Sequence, residues 1–474
     1  MTRVAVPAWR GALADHRLQI ALVLGLALLL RLGHVLLTER WPAIGGGDYS
    51  WYGDYGRDLV QTGKTLGPPP TGPIFLLVAG AAEHANPTPY PPGQALAHAE
   101  RLDIIALAFP ACADAVGGGA PTIRLLHTVL GTVIVWLAYR IGRAGWNHHV
   151  GLGAAFILAI NPAFVLEAGN LTTETISFVL LLWALALWLE RSDTPDWRLL
   201  AAMGSLLALA ALTRSVFLAF PALPIAHLWL RHGWRKALRG GLVLLVTFLL
   251  TISPWTLYNF VTWDRLTLTG EGLLGMLYVG AVGWQDPEAV DAGLGINPTA
   301  PPEDDFSVRQ EAYAQGFLAE VQRDPFGYVV RRAGELGAAL LQPHNTTFYP
   351  GASIKELFAD WLHDDRTLSG LIALTGTESF WPKLALYAFH YTGMLLGLIG
   401  LWLNRRRWRE LWPLYAVFAY FLGIHLVLAA IPRYLFPLEP FWWLFGTTVL
   451  VALGQRVRSW WRHRREAVLN GPAR

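Results

Sequence analysis

The run LLAAMGSLLALAALTRSVFLAFPALPIAHLWL, residues 199–230, is apolar throughout except where Thr213-Arg214-Ser215 interrupts it. It reads either as one over-long helix or as two helices that turn at Arg214, and the choice decides on which side of a membrane every later segment lies. The basic residues settle the choice. With a turn at Arg214 and a cytoplasmic N-terminus, Arg140/Arg143, Arg191/Arg198, Arg231/Arg235/Lys236/Arg239, Arg405/Arg406/Arg407/Arg409 and the tail 456–465 all stay inside, as the positive-inside bias requires. A single helix would export the clusters at Arg231 and Arg405. We therefore expect a tight outer turn at Arg214, with Pro221 and Pro224 kinking the second member of the hairpin.

Outward from this hairpin, apolar runs of roughly spanning length occur at residues 18–37, 123–138, 150–166, 175–189, 241–257, 384–403, 411–430 and 434–454. Together with 199–213 and 215–230 they predict an all-α polytopic membrane protein of about ten transmembrane helices. The composition agrees: 54% of the 474 residues are hydrophobic and 15% charged, with a mean hydropathy of +0.37, too apolar for an ordinary soluble domain. The net charge of +3 comes from short clusters between apolar runs, which are topology signals and not a nucleic-acid face. The first run follows Arg3, Arg10 and Arg17 and shows no small-residue cleavage site, so it reads as a retained anchor. The single cysteine, Cys112, excludes a disulfide within the chain.

Three regions result: a membrane module at 1–258, an outer-face region at 259–382, and C-terminal spans with a basic cytoplasmic tail at 383–474. Two long outer loops, 38–121 and 259–382, carry short helices. In the first, 101–113 suits an interfacial or re-entrant helix; in the second, 308–321 and 326–341 look helical and 298–302 is a breaker. The inner loops are too short for a nucleotide-binding domain, and neither a Walker A pattern nor a GxGxxG turn occurs. A cytosolic nucleotide sugar or ATP is thereby disfavoured as a direct substrate.

The outer ends hold the residues suited to chemistry. Gly45-Gly46-Gly47-Asp48-Tyr49-Ser50-Trp51-Tyr52-Gly53-Asp54-Tyr55 mixes carboxylates with aromatics, a composition that binds sugars by stacking and hydrogen bonding and that also describes an interfacial aromatic belt. Glu174, in Leu171-Thr172-Thr173-Glu174, is a second candidate acid or a helix cap. Arg31, Arg124, Arg214 and Arg433 are cations at outer ends, where they run against the positive-inside bias and invite an anionic partner such as a lipid phosphate. Snorkelling, for Arg31, and salt bridges to Asp48, Asp54 or Glu174 are the structural alternatives. Pro89-Tyr90-Pro91-Pro92-Gly93 is a rigid turn, His148-His149 falls inside, and Asn345-Thr346-Thr347 has the form of a glycosylation acceptor.

In order and placement these motifs resemble the GT-C membrane glycosyltransferases, in the branch of protein O-mannosyltransferases and lipid A aminoarabinose transferases. The resemblance rests on Asp48 after the first span, Pro91-Pro92-Gly93, Tyr139 and Gly142 in the second span, Asn161-Pro162 with Thr173-Glu174, Leu212-Thr213-Arg214, Pro254-Trp255 with Asn259, 272–280, and Arg433-Tyr434 before Pro437 and Pro440. It implies a polyprenyl-phosphate sugar as donor, a glycan, lipid or protein hydroxyl as acceptor, and an active site on the outer face among membrane lipids, with no nucleic acid. Asp48 would be the general base of an inverting displacement and Glu174 would orient donor or acceptor. Arg433 with Arg124, Arg214 and Arg31 would hold the departing phosphate, and Tyr52, Asp54, Tyr55, Tyr434 and His344 would contact sugar or acceptor. The sequence departs from the Asp-Glu pair of many members, since Tyr49 follows Asp48, which weakens the protein mannosyltransferase assignment. No cofactor is demanded, and a divalent metal held by Asp48, Glu174 and His344 is left open. A transporter or flippase of lipid-linked sugars, or a non-catalytic envelope protein of the same fold, are the competing readings; the absence of an internal repeat speaks against transport.

Overall fold

The computed structural model describes residues 15–37, 46–65, 67, 69, 71–85, 120–191, 195–270, 272–283 and 302–469, apart from the side chains of 46–51, 120–121, 302–309 and 465–469. The turn at Pro89, the 101–113 segment, Cys112 and residues 298–301 lie outside that description. The described residues are helices and their connections, with no strand among them. The N-terminal half comprises α1 (His16–Leu37), α2 (Gly46–Thr62), α3 (Pro73–Ala85), α4 (Ala120–Gly145), α5 (His148–Ile160), α6 (Pro162–Leu166), α7 (Glu174–Arg191), α8 (Trp197–Ala211), α9 (Ala222–His232) and α10 (Trp234–Trp263). Beyond these come α11 (Leu273–Val282), α12 (Pro302–Arg323), α13 (Pro325–Leu340), α14 (Ile354–Asp360), α15 (Leu368–Leu374), α16 (Phe380–Asn404), α17 (Trp412–Val427), α18 (Pro432–Leu435) and α19 (Glu439–Leu469).

Five helices among the described residues are long and apolar enough to cross a membrane: α1, α4, α10, α16 and the α18–α19 unit. The bent pair of α5 with the 162–169 segment makes a sixth. These helices make the chain a multi-pass membrane protein. The other expected spans are helices too, but α8 and α17 are shorter than a full crossing, and α7 begins at Glu174 and ends at Glu190-Arg191.

The chain reverses at Arg214. Leu200, near the start of α8, packs with Leu228, near the end of α9, and with Ala237 at the start of α10, so α8 and α9 run antiparallel. The second member is not helical from Ser215, as the apolar run suggests. A single 3-10 turn covers Ser215–Phe217, and the α-helix begins only at Ala222. Pro221 and Pro224 sit at that start, where a missing N–H costs nothing.

The third span breaks for a comparable reason. Pro162 cannot donate to the carbonyl of Leu158, and α5 bends by 60° into α6. Arg31 fills the gap: wholly buried in α1, it donates to Leu158 O at 3.1 Å, Ala159 O at 3.3 Å and Ala27 O at 3.0 Å. A guanidinium in a membrane helix is tolerated when its N–H groups meet carbonyls left over at a helix end. The Arg31 head does not snorkel and is turned to backbone carbonyls. Asn161 completes the junction by accepting from the Ala163 amide at 3.0 Å.

Contacts between helix ends sort the molecule into two poles. At one pole His148 meets Gln19 at 2.7 Å, Arg140 pairs with Glu190 at 2.9 and 2.5 Å, Trp146 donates to Asn404 at 2.8 Å, and Arg407 donates to Gly145 O at 3.1 Å. The basic clusters of 140–143, 191 and 405–407 thus share the pole of the start of α1. At the other pole lie the 167–174 loop, the Arg214 turn, the end of α10 and the start of α19.

The described part of the first long loop docks at this second pole as a helical hairpin, which the sequence reading did not resolve into helices. α2 and α3 cross at Gly56 and Gly80, where a Cβ would stand 2.1 Å from Leu76 O and 2.0 Å from Gly56 O respectively. The hairpin is anchored by Ile74 N to Leu212 O at 3.4 Å and by Thr65 N to Tyr258 Oη at 2.8 Å. The helices read at 308–321 and 326–341 are present within α12 and α13.

Replacing Arg31 with Met, of similar length but without donors, is expected to leave the carbonyls at the end of α5 unpaired and to destabilise the detergent-solubilised protein by about 1–3 kcal/mol. The measurement is the thermal midpoint. An unchanged midpoint would show that the cap does not hold the bend.

Candidate active site

At the second pole a short 3-10 turn (Glu167–Gly169) and the loop 170–173 lead into α7, whose first residue is Glu174. Glu174 is only 2% exposed, yet two arginines from distant segments reach it. Arg214, from the α8–α9 turn, donates through Nη1 to Glu174 and at 3.1 Å to Thr173 Oγ1. Arg433, from α18, donates through Nε and, at 3.1 Å, through Nη2 to the two carboxylate oxygens. Burial works to raise the Glu174 carboxyl, and the adjoining Arg214 and Arg433 guanidinia more than offset it, holding the group well below the usual carboxylate range. Glu174 is therefore an anion at neutral pH, unsuited to moving a proton and suited to aiming two cations.

The arginine side chains keep 19% and 23% of their surface exposed, and Arg214 lies over the Tyr434 ring with 5.2 Å to its centroid. Tyr434 in turn stacks on His425 at 5.6 Å. Among the described residues the cluster sets the Glu174 carboxylate against two part-exposed guanidinia, donors of the kind that bind phosphate or pyrophosphate oxygens.

Behind Glu174 a second buried carboxylate holds the loop. Glu167 accepts from Asn170 Nδ2 at 2.7 Å, Thr172 Oγ1 at 3.0 Å, His344 Nε2 at 2.9 Å and Asn345 Nδ2 at 3.4 Å. His127 adds a bond to Asn170 O at 2.8 Å. The sequence reading missed Glu167, Asn170 and His127. Its one available signal was a lone acid directly after an apolar run and three residues before Asn170. Asn345, which has the form of a glycosylation acceptor, is buried here and also donates to Ala163 O at 3.0 Å.

Of the sequence candidates, Glu174, Arg214, Arg433 and Tyr434 come together, and His344 stands one carboxylate away on Glu167. Arg124 donates to Gly169 O at 3.2 Å, supporting the same loop. Asp54 and Tyr55 are buried within the α2–α3 hairpin, and Tyr52 packs edge-on against Phe75 at 5.0 Å. These are positions that fold the hairpin. Asp48 lies in the first turn of α2, and its side chain is outside the described residues. Of the trio considered for a divalent cation, Glu174 is paired with two guanidinia and His344 with Glu167, and the Asp48 side chain is outside the described residues. Among the described residues no group of three His, Cys, Asp or Glu side chains comes together to hold one.

Known proteins share this architecture. The family model for dolichyl-phosphate-mannose-protein mannosyltransferases matches residues 111–258, a segment that carries Glu167, Glu174 and Arg214. The archaeal oligosaccharyltransferase AglB from Archaeoglobus fulgidus, solved with an inhibitory peptide and a dolichol-phosphate, superposes on 96% of this chain with a TM-score of 0.51 at 12% identity. This is a GT-C fold. The chain spans about half of the archaeal enzyme, 52% of its length. The apo crystal structure of the A. fulgidus oligosaccharyltransferase aligns over 96% of this chain and 52% of its own, at 13% identity and a TM-score of 0.49. No curated protein matches the sequence. Within the GT-C fold, the Glu174 cluster occupies the pole where the first loop docks, and the family match covers two of its three charged members but neither Asp48 nor Arg433.

The hairpin that bears Asp48 carries a titration of its own. Asp54 and Glu83 flank Arg57 at 3.6 and 3.3 Å, all three buried. Burial pushes the Asp54 carboxyl up to about 6, against the pull of Arg57. A raised acid binds more protons folded than unfolded, so its contribution to stability is full below the ordinary carboxylate range and is lost as pH rises through about 6. Asp54→Asn is expected to flatten the decline in thermal midpoint between about pH 4 and 7, with the wild type losing on the order of 1–3 kcal/mol over that range. Parallel pH profiles of the two proteins would contradict the assignment.

Proposed function

We propose that this protein transfers a sugar from a polyprenyl-phosphate-linked donor to an acceptor hydroxyl at the outer face of the membrane, with inversion at the anomeric carbon and with both termini cytoplasmic. The observation that carries the reading is the Arg214–Glu174–Arg433 cluster, two part-exposed guanidinia set by one buried carboxylate at the pole opposite the basic clusters. The departing lipid phosphate would be met by the two guanidinia, whose orientation Glu174 fixes in advance. Such preorganisation is the principal means of stabilising a leaving phosphate where no nucleotide takes part. The dolichol-phosphate present with the archaeal enzyme of similar fold is a ligand of the same chemistry.

Asp48 is the proposed base. It would accept the acceptor hydroxyl proton as that oxygen forms its bond to the anomeric carbon and the carbon–phosphate oxygen bond breaks. Its helix, α2, belongs to the hairpin anchored on Leu212, two residues before Arg214, which supports a shared site. Tyr434, beneath Arg214, is the proposed aromatic contact for sugar or isoprenoid.

In reconstituted vesicles with a panel of polyprenyl-phosphate sugars and envelope extract as acceptor, wild type is expected to transfer sugar. Asp48→Asn should reduce the rate roughly 10²–10⁴-fold, Arg433→Met roughly 10²–10³-fold, and the product should carry the inverted anomeric configuration by NMR. Transfer at wild-type rate by Asp48→Asn would remove it as base, and retention of configuration would exclude the single displacement.

A further inference from the structure

At the pole opposite Glu174, the start of α8, the end of α9 and the start of α10 line an open cavity of about 490 Å3, a size typical of ligand sites. Its floor is apolar, formed by Leu200, Leu228 and Val243. Its rim is basic, formed by His232, Lys236 and Arg239. Lys236 and Arg239 are both exposed. Gly240 keeps the slot open, since a Cβ there would meet the Leu200 and Leu228 side chains at 3.0 and 3.1 Å.

The depth of the cavity in a bilayer follows from its surroundings. Trp197, Trp229 and Trp234 stand at this end, all more than 60% exposed, and tryptophan settles at the level of the lipid headgroups. An apolar slot beneath a cationic rim at that level is complementary to an amphiphile with an anionic head and a hydrocarbon tail. A free phosphate would leave the apolar floor unused, and a zwitterionic lipid would bring a second cation against Lys236 and Arg239.

We propose that this cavity is a binding site for an anionic phospholipid of the leaflet facing the basic clusters, with the phosphate held by Lys236 and Arg239 and one acyl chain lying along Leu200, Leu228 and Val243. The site is separate from the Glu174 cluster and its occupancy is read by binding, so it stands or falls independently of the transferase reading.

The test is native mass spectrometry of the full chain titrated with phosphatidylglycerol or phosphatidylcholine. With about 1 kcal/mol per basic residue near a membrane surface, wild type is expected to prefer phosphatidylglycerol roughly ten- to thirtyfold. The Lys236→Gln/Arg239→Gln variant, altered only at exposed positions, should lose that preference. An Arg405→Gln/Arg409→Gln variant removes two exposed cations that do not line the cavity and should retain it. Equal preference in all three proteins, or equal loss in both variants, would overturn the proposal in favour of diffuse attraction to a basic surface.

Discussion

One buried carboxylate ties together three segments that are far apart in sequence. Glu174 at the start of α7 takes hydrogen bonds from Arg214, 40 residues on, and from Arg433, 259 residues on. Removing either arginine leaves the acid short of compensation, and removing the acid leaves two cations facing each other; breaking a buried pair in this way costs about 3–5 kcal/mol. The α8–α9 turn and the short α18 are thus held to the same point. Glu167 secures the intervening loop with four further bonds, so the aim of the two guanidinia is fixed before any ligand arrives.

The same pole shows a second use of cations. Arg31 meets carbonyls at the end of α5. Arg332, wholly buried, donates to His425 O at 3.0 Å and to Leu428 O. Lys383 donates to Pro350 O, Gly351 O and Ala352 O at 2.5–2.9 Å. Each satisfies backbone carbonyls left without a partner within a helix. Arg332 also pins the segment that leads from α17 to Arg433, so a structural cap contributes to the geometry of the site. Cations at this pole therefore divide into those that meet backbone carbonyls and those that pair with Glu174.

That division explains what was legible in the sequence. The reversal at Arg214 could be read because charge parity is a property of the whole chain and needs no knowledge of packing. The junction of Glu174 with Arg214 and Arg433 was foreshadowed by their shared pole. Arg31 could not be sorted from them, because its partners are carbonyls more than 120 residues away and carbonyls leave no trace in a sequence. Glu167 was passed over for the same reason, its ligands His344 and Asn345 lying about 177 residues downstream. The α2–α3 hairpin stayed hidden because α2 is Gly-rich and aromatic with little apolar periodicity, α3 is apolar but too short to span, and the contact of Gly56 with Gly80 exists only once the helices cross.

The central claim is that Arg214 and Arg433, aimed by Glu174, form a lipid-phosphate site. Equilibrium binding of a polyprenyl phosphate to the wild-type protein in detergent, compared with Arg214→Met and Arg433→Met, tests it without requiring the sugar or acceptor to be known. The account expects each substitution to weaken binding roughly ten- to a hundredfold, the worth of a charge-assisted hydrogen bond to phosphate, with the variants still folded by circular dichroism. Unchanged affinity in both folded variants would contradict it.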